Sequence, residues 1–223
     1  MSWQPLWLSF ELAATTMFFL LLIATPLAWF LAFTRIRGRG VLEAVFALPL
    51  VLPPTVLGYF LLVAIGSRSP IGQWYQAIFG STFAFSFVGL VFASILYSLP
   101  FAVQPMQNAF ESLGRELSEA SRTLGLNAWQ NFFRILLPGA RVGVVTGAVL
   151  SFAHTLGEFG VVLMIGGSIP GKTKVASIAI YEYVENLEYH AANAMALVLL
   201  AISFTVLSVV YYYNRRLSRM VLG

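Results

Sequence analysis

Five stretches of this chain are long, apolar and free of Lys and Arg: about residues 12–33, 44–65, 83–103, 142–165 and 191–213. Each has 21 to 24 residues, enough for a helix to cross a hydrocarbon core of roughly 30 Å. Inside that core every backbone polar group must be satisfied internally, so only helices and closed barrels can span it. A barrel would show alternating segments of about ten residues instead. The composition agrees: 59% of residues are hydrophobic and 10% charged, where a soluble domain carries about 25% charged residues. The expected fold is an all-α membrane protein, one transmembrane domain over 1–223 with about five spans.

The basic residues set the expected orientation. Arg35, Arg37, Arg39, Arg115, Arg122, Arg134, Arg141, Arg215, Arg216 and Arg219 fall on one side of a five-span chain, and Arg68, Lys172 and Lys174 on the other. Cytoplasmic loops are enriched in Lys and Arg, so the N-terminus is expected outside and the C-terminus in the cytoplasm. The net charge of +4 then reports topology and calls for no nucleic acid. The N-terminus lacks a basic n-region and a small-residue cleavage site, so no removable signal peptide is read there. With no cysteine, disulfides and thiolate metal sites have no support.

The longest polar interval between spans, residues 119–138, reads as two short helices joined by an elbow. Leu117, Ala120, Ser121 and Leu124 recur at helical spacing as a small and apolar stripe. Gly125 stands where a helix C-terminus wants a left-handed residue. Asn127 can cap the next helix, with Gln130 reaching back to complete a capping box. Trp129, Phe132, Phe133 and Leu136 make that helix apolar on one side, and Pro138 is expected to bound it. Spacing alone supports two readings equally, a docking surface and an interfacial hairpin that merely joins two spans.

Two spans carry unusual residues. The second holds Pro49, Pro53, Pro54 and Gly58, and its three prolines remove backbone donors and force a kink or an unwound turn. Irregular backbone at membrane depth survives only inside protein or along a cavity, so this span is expected to be central, with Thr55 beside the break. A kinked packing helix without a transport role is the alternative. In the fourth span Gly143, Gly147, Ser151, His154 and Glu158 share one helical face. Its inner half is a small-xxx-small surface for close helix approach. Its outer half, with Thr155 alongside, is polar, and intramembrane ionisable residues face the bundle interior. His154 and Glu158 fit a pathway-lining pair or a hydrogen-bonded packing pair. Two ligands at i and i+4 do not make a metal site. An ionised carboxylate at that depth needs a partner, and His154 one turn earlier is the candidate, so Glu158→Gln is expected to lower stability.

The third span is expected to end near Pro100 and Pro105. Residues 67–82 read as an outer loop with Trp74 and Tyr75 as interface anchors. Glu182, Glu185 and Glu188 read as the solvated face of a short outer helix. Gly166, four residues, then Gly171-Lys172-Thr173 matches the phosphate-binding P-loop pattern letter for letter. That mechanism needs a strand before the loop and a cytosolic nucleotide. Here the loop follows a membrane helix, lies outside and contains Pro170, so the match is rejected.

The pattern Glu-Ala-Ala, three residues, Gly, nine residues, Ile-x-Leu-Pro marks the permease subunits of ABC importers. It appears here as Glu119, Ala120, Ser121, then Gly125, then Ile135, Leu137 and Pro138, with Ser121 the one departure. The proline-rich second span, Leu156-Gly157-Glu158-Phe159-Gly160, and Ile169-Pro170-Gly171 with Thr173 resemble molybdate importer permeases more closely than the wider family. The resemblance covers roughly residues 12–216. It implies a type I importer permease fold with a coupling segment at about 111–138, in which Glu119, Ala120, Ser121, Arg122, Leu124 and Gly125 seat on a cytoplasmic ATPase. It also implies a homodimer, two ATPase subunits that bind the ATP, and an extracytoplasmic protein that delivers molybdate, with tungstate or sulfate as alternatives. No catalytic residue, metal site or cofactor is expected in this chain. The candidates for the pathway and its gate are Pro53, Pro54, Thr55, Ser151, Thr155 and Glu158. A self-sufficient secondary carrier would instead show intramembrane charge pairs and repeated halves. A membrane enzyme would need a nucleophile–base set, which is not found.

Overall fold

The computed structural model describes residues 2–123 and 125–222. Its helices in chain order are α1 (Gln4–Phe33), α2 (Arg39–Val51), α3 (Pro54–Ile65), α4 (Pro70–Phe79), α5 (Phe87–Ser112), α6 (Gly114–Thr123) and α7 (Ala128–Asn131). A π-helical turn, Phe132–Leu136, leads into α8 (Leu137–Gly139), α9 (Arg141–Leu156), α10 (Gly160–Gly166), α11 (Ala176–Glu185) and α12 (Tyr189–Leu222). Among the described residues there is no strand. Three helices, α1, α5 and α12, are each long and apolar enough to cross a membrane. Two bent pairs, α2 with α3 at 109° and Ala128–Gly139 with α9 at 72°, raise the number to as many as five if each is one span.

The bundle is built around α5. Its apolar window is 56% buried, against 6% for α12, so α12 is the peripheral span. Toward one end of the bundle, Leu20, Ala24, Ala28 and Leu31 of α1 pack with Leu99, Ala102, Met106 and Phe110 of α5 and with Phe132 and Leu136. A second core joins Leu8 and Leu12 of α1, Ile65 of α3, Leu90 of α5, Val161 and Ile165 of α10, and Ile178 of α11. The small-residue stripe of α9 is pressed on α5 as its spacing suggests. A Cβ on Gly143 would lie 2.3 Å from that of Ala109, and one on Gly147 would lie 2.7 Å from the Ala102 carbonyl oxygen.

The second span breaks where its prolines demand. Leu52 and Pro53 each precede a proline, which drives the preceding residue out of the helical region. Both are extended, with ψ of 134° and 135°. Other proline expectations are corrected. α5 runs straight through Pro100 and Pro105 to Ser112, since in a buried helix neighbouring elements tolerate the lost bond. Pro138 does not end the elbow helix either. Lacking an N–H, it leaves the Arg134 carbonyl without its usual donor, and the preceding turn widens so that the Leu137 N–H reaches the Phe132 carbonyl. The chain bends one step later, at Ala140.

The fourth span is also corrected. It is not one helix over 142–165: α9 stops at Leu156, residues 157–159 are irregular, and α10 completes it. The Gly157 N–H is shared between the Ala153 and His154 carbonyls, and the Ser177 hydroxyl donates to the Glu158 carbonyl oxygen at 2.5 Å, occupying a group a continuous helix would use. The loop 67–82 contains a helix, α4, capped by Ser69, which accepts from the Gly72 N–H at 2.9 Å. Trp74 there is exposed, while Tyr75 stacks on Phe83 at 4.5 Å. The acidic helical face of Glu182, Glu185 and Glu188 is shorter than its spacing implied. Glu188 lies beyond the end of α11, past Leu187 at φ +62°.

Candidate functional site

Two places concentrate the features singled out above: the elbow, and the region where both broken spans lose their helical backbone. At the elbow, α6 ends and Gly125 takes φ +83° with open space around its Cα. This is the left-handed residue the sequence calls for. The capping box is formed as expected: the Gln130 N–H donates to Asn127 Oδ1 at 2.9 Å and the Asn127 N–H to Gln130 Oε1 at 3.1 Å. Glu119 is exposed and lies 3.9 Å from Arg35 in the basic turn after α1. Ala120 is exposed as well. Leu124, and the side chains of Ser121 and Arg122, lie outside the described residues. Leu117, Trp129 and Phe133 are exposed, and Trp129 stacks on Phe133 at 5.9 Å. An exposed aromatic pair beside a rigid, capped turn is a surface suited to protein contact.

The two breaks face each other. α3 and α10 cross so closely that a Cβ on Gly160 would lie 2.7 Å from that of Pro54, and one on Gly58 would lie 2.8 Å from that of Met164. A cavity of about 430 Å³ opens at this crossing, lined by Pro54, Thr55, Tyr97, His154, Gly157, Glu158, Phe159 and Gly160. Three pathway candidates, Pro54, Thr55 and Glu158, thus line one cavity, with Pro53 adjacent in the break. Thr55 is exposed there. Ser151 and Thr155 are elsewhere: both are buried in helix packing. The Ser151 hydroxyl donates to the Ala148 carbonyl at 2.9 Å, and Thr155 Oγ1 lies 2.9 Å from Ser98 Oγ.

His154 is not the partner of Glu158. Its Nδ1 is 2.8 Å from Ser98 Oγ, and its ring stacks on Phe101 at 3.9 Å beside Tyr97 at 4.7 Å. Because the helix ends at Leu156, Glu158 does not follow His154 along the same face. Its carboxylate lies by Ser94, both oxygens are shielded from solvent, and none of these groups forms a hydrogen bond of ordinary geometry. Among the described residues no group of three or more His, Asp or Glu is placed to hold a metal ion.

The residues that sequence reasoning missed lie on α5. Ser94, Tyr97, Ser98 and Phe101 recur at helical spacing within an apolar span, a polar and aromatic face that could have been read. Another group was scattered in sequence. Arg39 Nε bonds Glu43 at 2.8 Å and its guanidinium pairs with Glu111, while Gln107 donates to Glu43 at 2.7 Å and to Glu111 at 3.1 Å. These bonds join α2 to the end of α5.

The P-loop look-alike is a structural clasp. Thr173 is fully buried, donates to the Gly166 carbonyl at 2.6 Å and accepts from the Ile169 N–H at 3.2 Å. Beyond it Lys174 pairs with Glu182, which Ser168 also contacts. Burial alone would raise the Glu182 carboxyl, but the hydrogen bonds from Lys174 and Ser168, with the Lys174 charge, hold it below the usual carboxylate range.

Comparison with known proteins agrees with this architecture. The chain is 51% identical over 208 residues to the molybdenum transport system permease protein ModB of Azotobacter vinelandii, covering 93% of this chain and 92% of that one. It is 40% identical over 183 residues to ModB of Escherichia coli strain K12, covering 82% and 80%. It is 37% identical over 197 residues to the sulfate transport system permease protein CysT of the same strain, covering 88% and 71%. A solved bacterial ABC transporter involved in the import of the acidic polysaccharide alginate shares the fold. It matches with a TM-score of 0.77 at 18% identity, covering 97% of this chain and 80% of that one. Residues 24–219 match the family described as binding-protein-dependent transport system inner membrane component, and the chain belongs to that family.

Proposed function

We propose that this chain is the multi-pass permease subunit of an ATP-driven importer and that its cargo is molybdate. The observation that carries the substrate is the identity to the Azotobacter vinelandii molybdenum permease, 51% across nearly the whole length. It exceeds the 37% identity to the sulfate permease, so sulfate stands as the second reading. In this proposal two copies of the chain form the passage and two cytoplasmic ATPase subunits seat on the elbows through Glu119, Ala120, Ser121, Arg122, Leu124 and Gly125. An extracytoplasmic binding protein delivers the anion. The N-terminus lies outside and the C-terminus in the cytoplasm.

The chemistry of passage follows from the walls. No Lys or Arg lines the cavity between the broken spans. A dianion in a low-dielectric passage is strongly disfavoured unless donors replace its hydration shell. Thr55 and wetted backbone at the two breaks can do that without a fixed charge, so the anion is held weakly enough to leave. Selectivity then rests with the binding protein. ATP is bound and hydrolysed in the partner subunits, and this chain performs no bond-making step.

The test is reconstitution of the chain with its ATPase and binding protein in vesicles, followed by uptake of labelled molybdate against excess sulfate. ATP-dependent molybdate uptake that sulfate does not compete is expected. Preferential sulfate uptake would move the chain to the second reading, and uptake without ATP would overturn the importer.

A further inference from the structure

We propose that His154 donates a hydrogen bond from its Nε2–H to the oxyanion as it crosses the cavity between the broken spans. The inference rests on the importer reading above. It starts from what the ring can present. His154 Nδ1 is 2.8 Å from Ser98 Oγ, and Ser98 Oγ is 2.9 Å from Thr155 Oγ1. Both hydroxyls are buried, and buried hydroxyls are hydrogen-bonded. In the arrangement we assign, Thr155 donates to Ser98 and Ser98 donates to Nδ1, so the imidazole carries its proton on Nε2. The ring stacks on Phe101 and lies against Tyr97, contacts that hold it with Nδ1 on Ser98. Its Nδ1 edge faces the buried hydroxyls of α5, and the residue is itself a wall of the 430 Å³ cavity. The Nε2 edge, on the opposite side of the ring, is left for that space.

A second lining residue suits the same ligand. Thr55 stands on the first turn of the twelve-residue α3, is exposed and lines the cavity. A tetrahedral oxyanion between them would accept from an imidazole N–H and a hydroxyl, both neutral donors. The carboxylate of Glu158, the one group of the wrong sign, is withdrawn toward Ser94 with both oxygens shielded. Glu158 therefore contributes shape to the wall and does not confront the anion. A single ring donor, without a fixed cation, gives the passage a preferred contact for the anion while leaving it free to move on.

The experiment uses the assembled complex of permease, ATPase and binding protein in vesicles, with molybdate as the probe. His154→Gln keeps a donor at the position of Nε2 and His154→Met removes it. A hydrogen bond to a charged group is worth about 1.5–3 kcal/mol. Maximal uptake by the methionine variant should therefore fall roughly tenfold to a hundredfold. ATP hydrolysis stimulated by loaded binding protein, and the binding-protein concentration giving half-maximal uptake, should stay as in wild type. The glutamine variant should transport within about threefold of wild type. Thr55→Val should lower molybdate moved per ATP in the same manner. Wild-type uptake by His154→Met would overturn the inference, as would glutamine being no better than methionine. Loss of assembly in the methionine variant would make His154 a packing residue and overturn it too. If the unaltered complex imports no molybdate, the importer reading itself has failed, which the wild-type arm shows separately.

Discussion

Gly160 and Pro54 touch where the two broken spans cross, the space for a Cβ on Gly160 ending 2.7 Å from the proline ring. Each residue follows a break, Pro53 behind one and Phe159 behind the other, so this contact sets how far apart the irregular segments stand. A methyl group must push α10 from α3, because the ring carbon cannot rotate away. Overpacking of this kind costs about 1–3 kcal/mol. Gly160→Ala is expected to lower the thermal stability of the purified permease and to reduce transport several-fold, and Gly160→Val to do more. An alanine variant with wild-type melting and uptake would show that the spans separate freely.

Gly125 holds φ +83° with nothing within 4 Å of the Cβ position, so the obstacle to substitution is backbone conformation and not space. A β-branched residue there is strained by roughly 1–3 kcal/mol, while asparagine tolerates the left-handed region. Gly125→Val should insert into membranes normally but lose transport and loosen the ATPase, and Gly125→Asn should retain most of both. Co-purification of the ATPase with each variant checks this. Equal attachment in both would separate the turn from coupling.

How much of this was legible depends on where the physics is local. The break at Pro53, the capping box of Asn127 and Gln130, and the positive φ of Gly125 are imposed by residues within a few positions of each other, and all three were readable. The break at Glu158 was not. No proline marks it, and the face shared by Gly143, Gly147, Ser151 and His154 extrapolates smoothly through it. What interrupts the helix is distant: Ser177 takes the Glu158 carbonyl and Pro54 packs against Gly160. Pro100, Pro105 and Pro138 fail in the opposite direction, since surrounding packing carries the helices past them. His154 could be placed near a cavity from sequence, but its true partner, Ser98, is 56 residues away.

Lys172 and Thr173 adjoin in the P-loop look-alike and should behave oppositely. Lys172 is exposed, whereas the Thr173 hydroxyl ties the loop to Gly166 and Ile169 from a buried position. Lys172→Ala is expected to leave ATP hydrolysis by the assembled complex unchanged. Thr173→Val leaves a buried carbonyl and amide without their partner, at about 1–3 kcal/mol, and should lower the melting temperature while Thr173→Ser preserves it. Loss of hydrolysis in an assembled Lys172→Ala complex would mean that the loop meets nucleotide after all.

The pair of Lys174 and Glu182 adds a pH-dependent term outside the spans. Because the folded Glu182 carboxyl titrates below its ordinary range, its contribution is present above the unfolded value. It is lost as pH falls through the folded one, below the ordinary carboxylate range. The contribution is of order 1 kcal/mol or less for a partly exposed pair. Wild type should be slightly more stable than Glu182→Gln at pH 7, with the gap closing on acidification. A gap that widens toward low pH would reverse the sign of the argument.

Glu158 yields a prediction that differs from the one its sequence position suggests. With His154 one turn away as partner, removing the charge would break a pair and destabilise the bundle. The structure pairs His154 with Ser98 instead, and among the described residues the carboxylate beside Ser94 has no ion-pair partner and no ordinary hydrogen bond. Removing one partner of a buried ion pair costs about 3–5 kcal/mol because it leaves a charge uncompensated, whereas a carboxyl without a charged partner has no pair to lose when a neutral amide of the same shape replaces it. Glutamine keeps the volume of the side chain and can bond Ser94 through its amide. Glu158→Gln should therefore melt at or above the wild-type temperature. Preference for molybdate over sulfate should not change, because the carboxylate oxygens do not reach the cavity that the anion crosses. Glu158→Ala, which opens a void against α5, should be clearly destabilised. Thermal unfolding of the three proteins side by side, with competitive uptake on the glutamine variant, decides the matter. A large loss of stability in Glu158→Gln would restore a charged partner for this residue, and a switch toward sulfate would place its carboxylate against the passing anion.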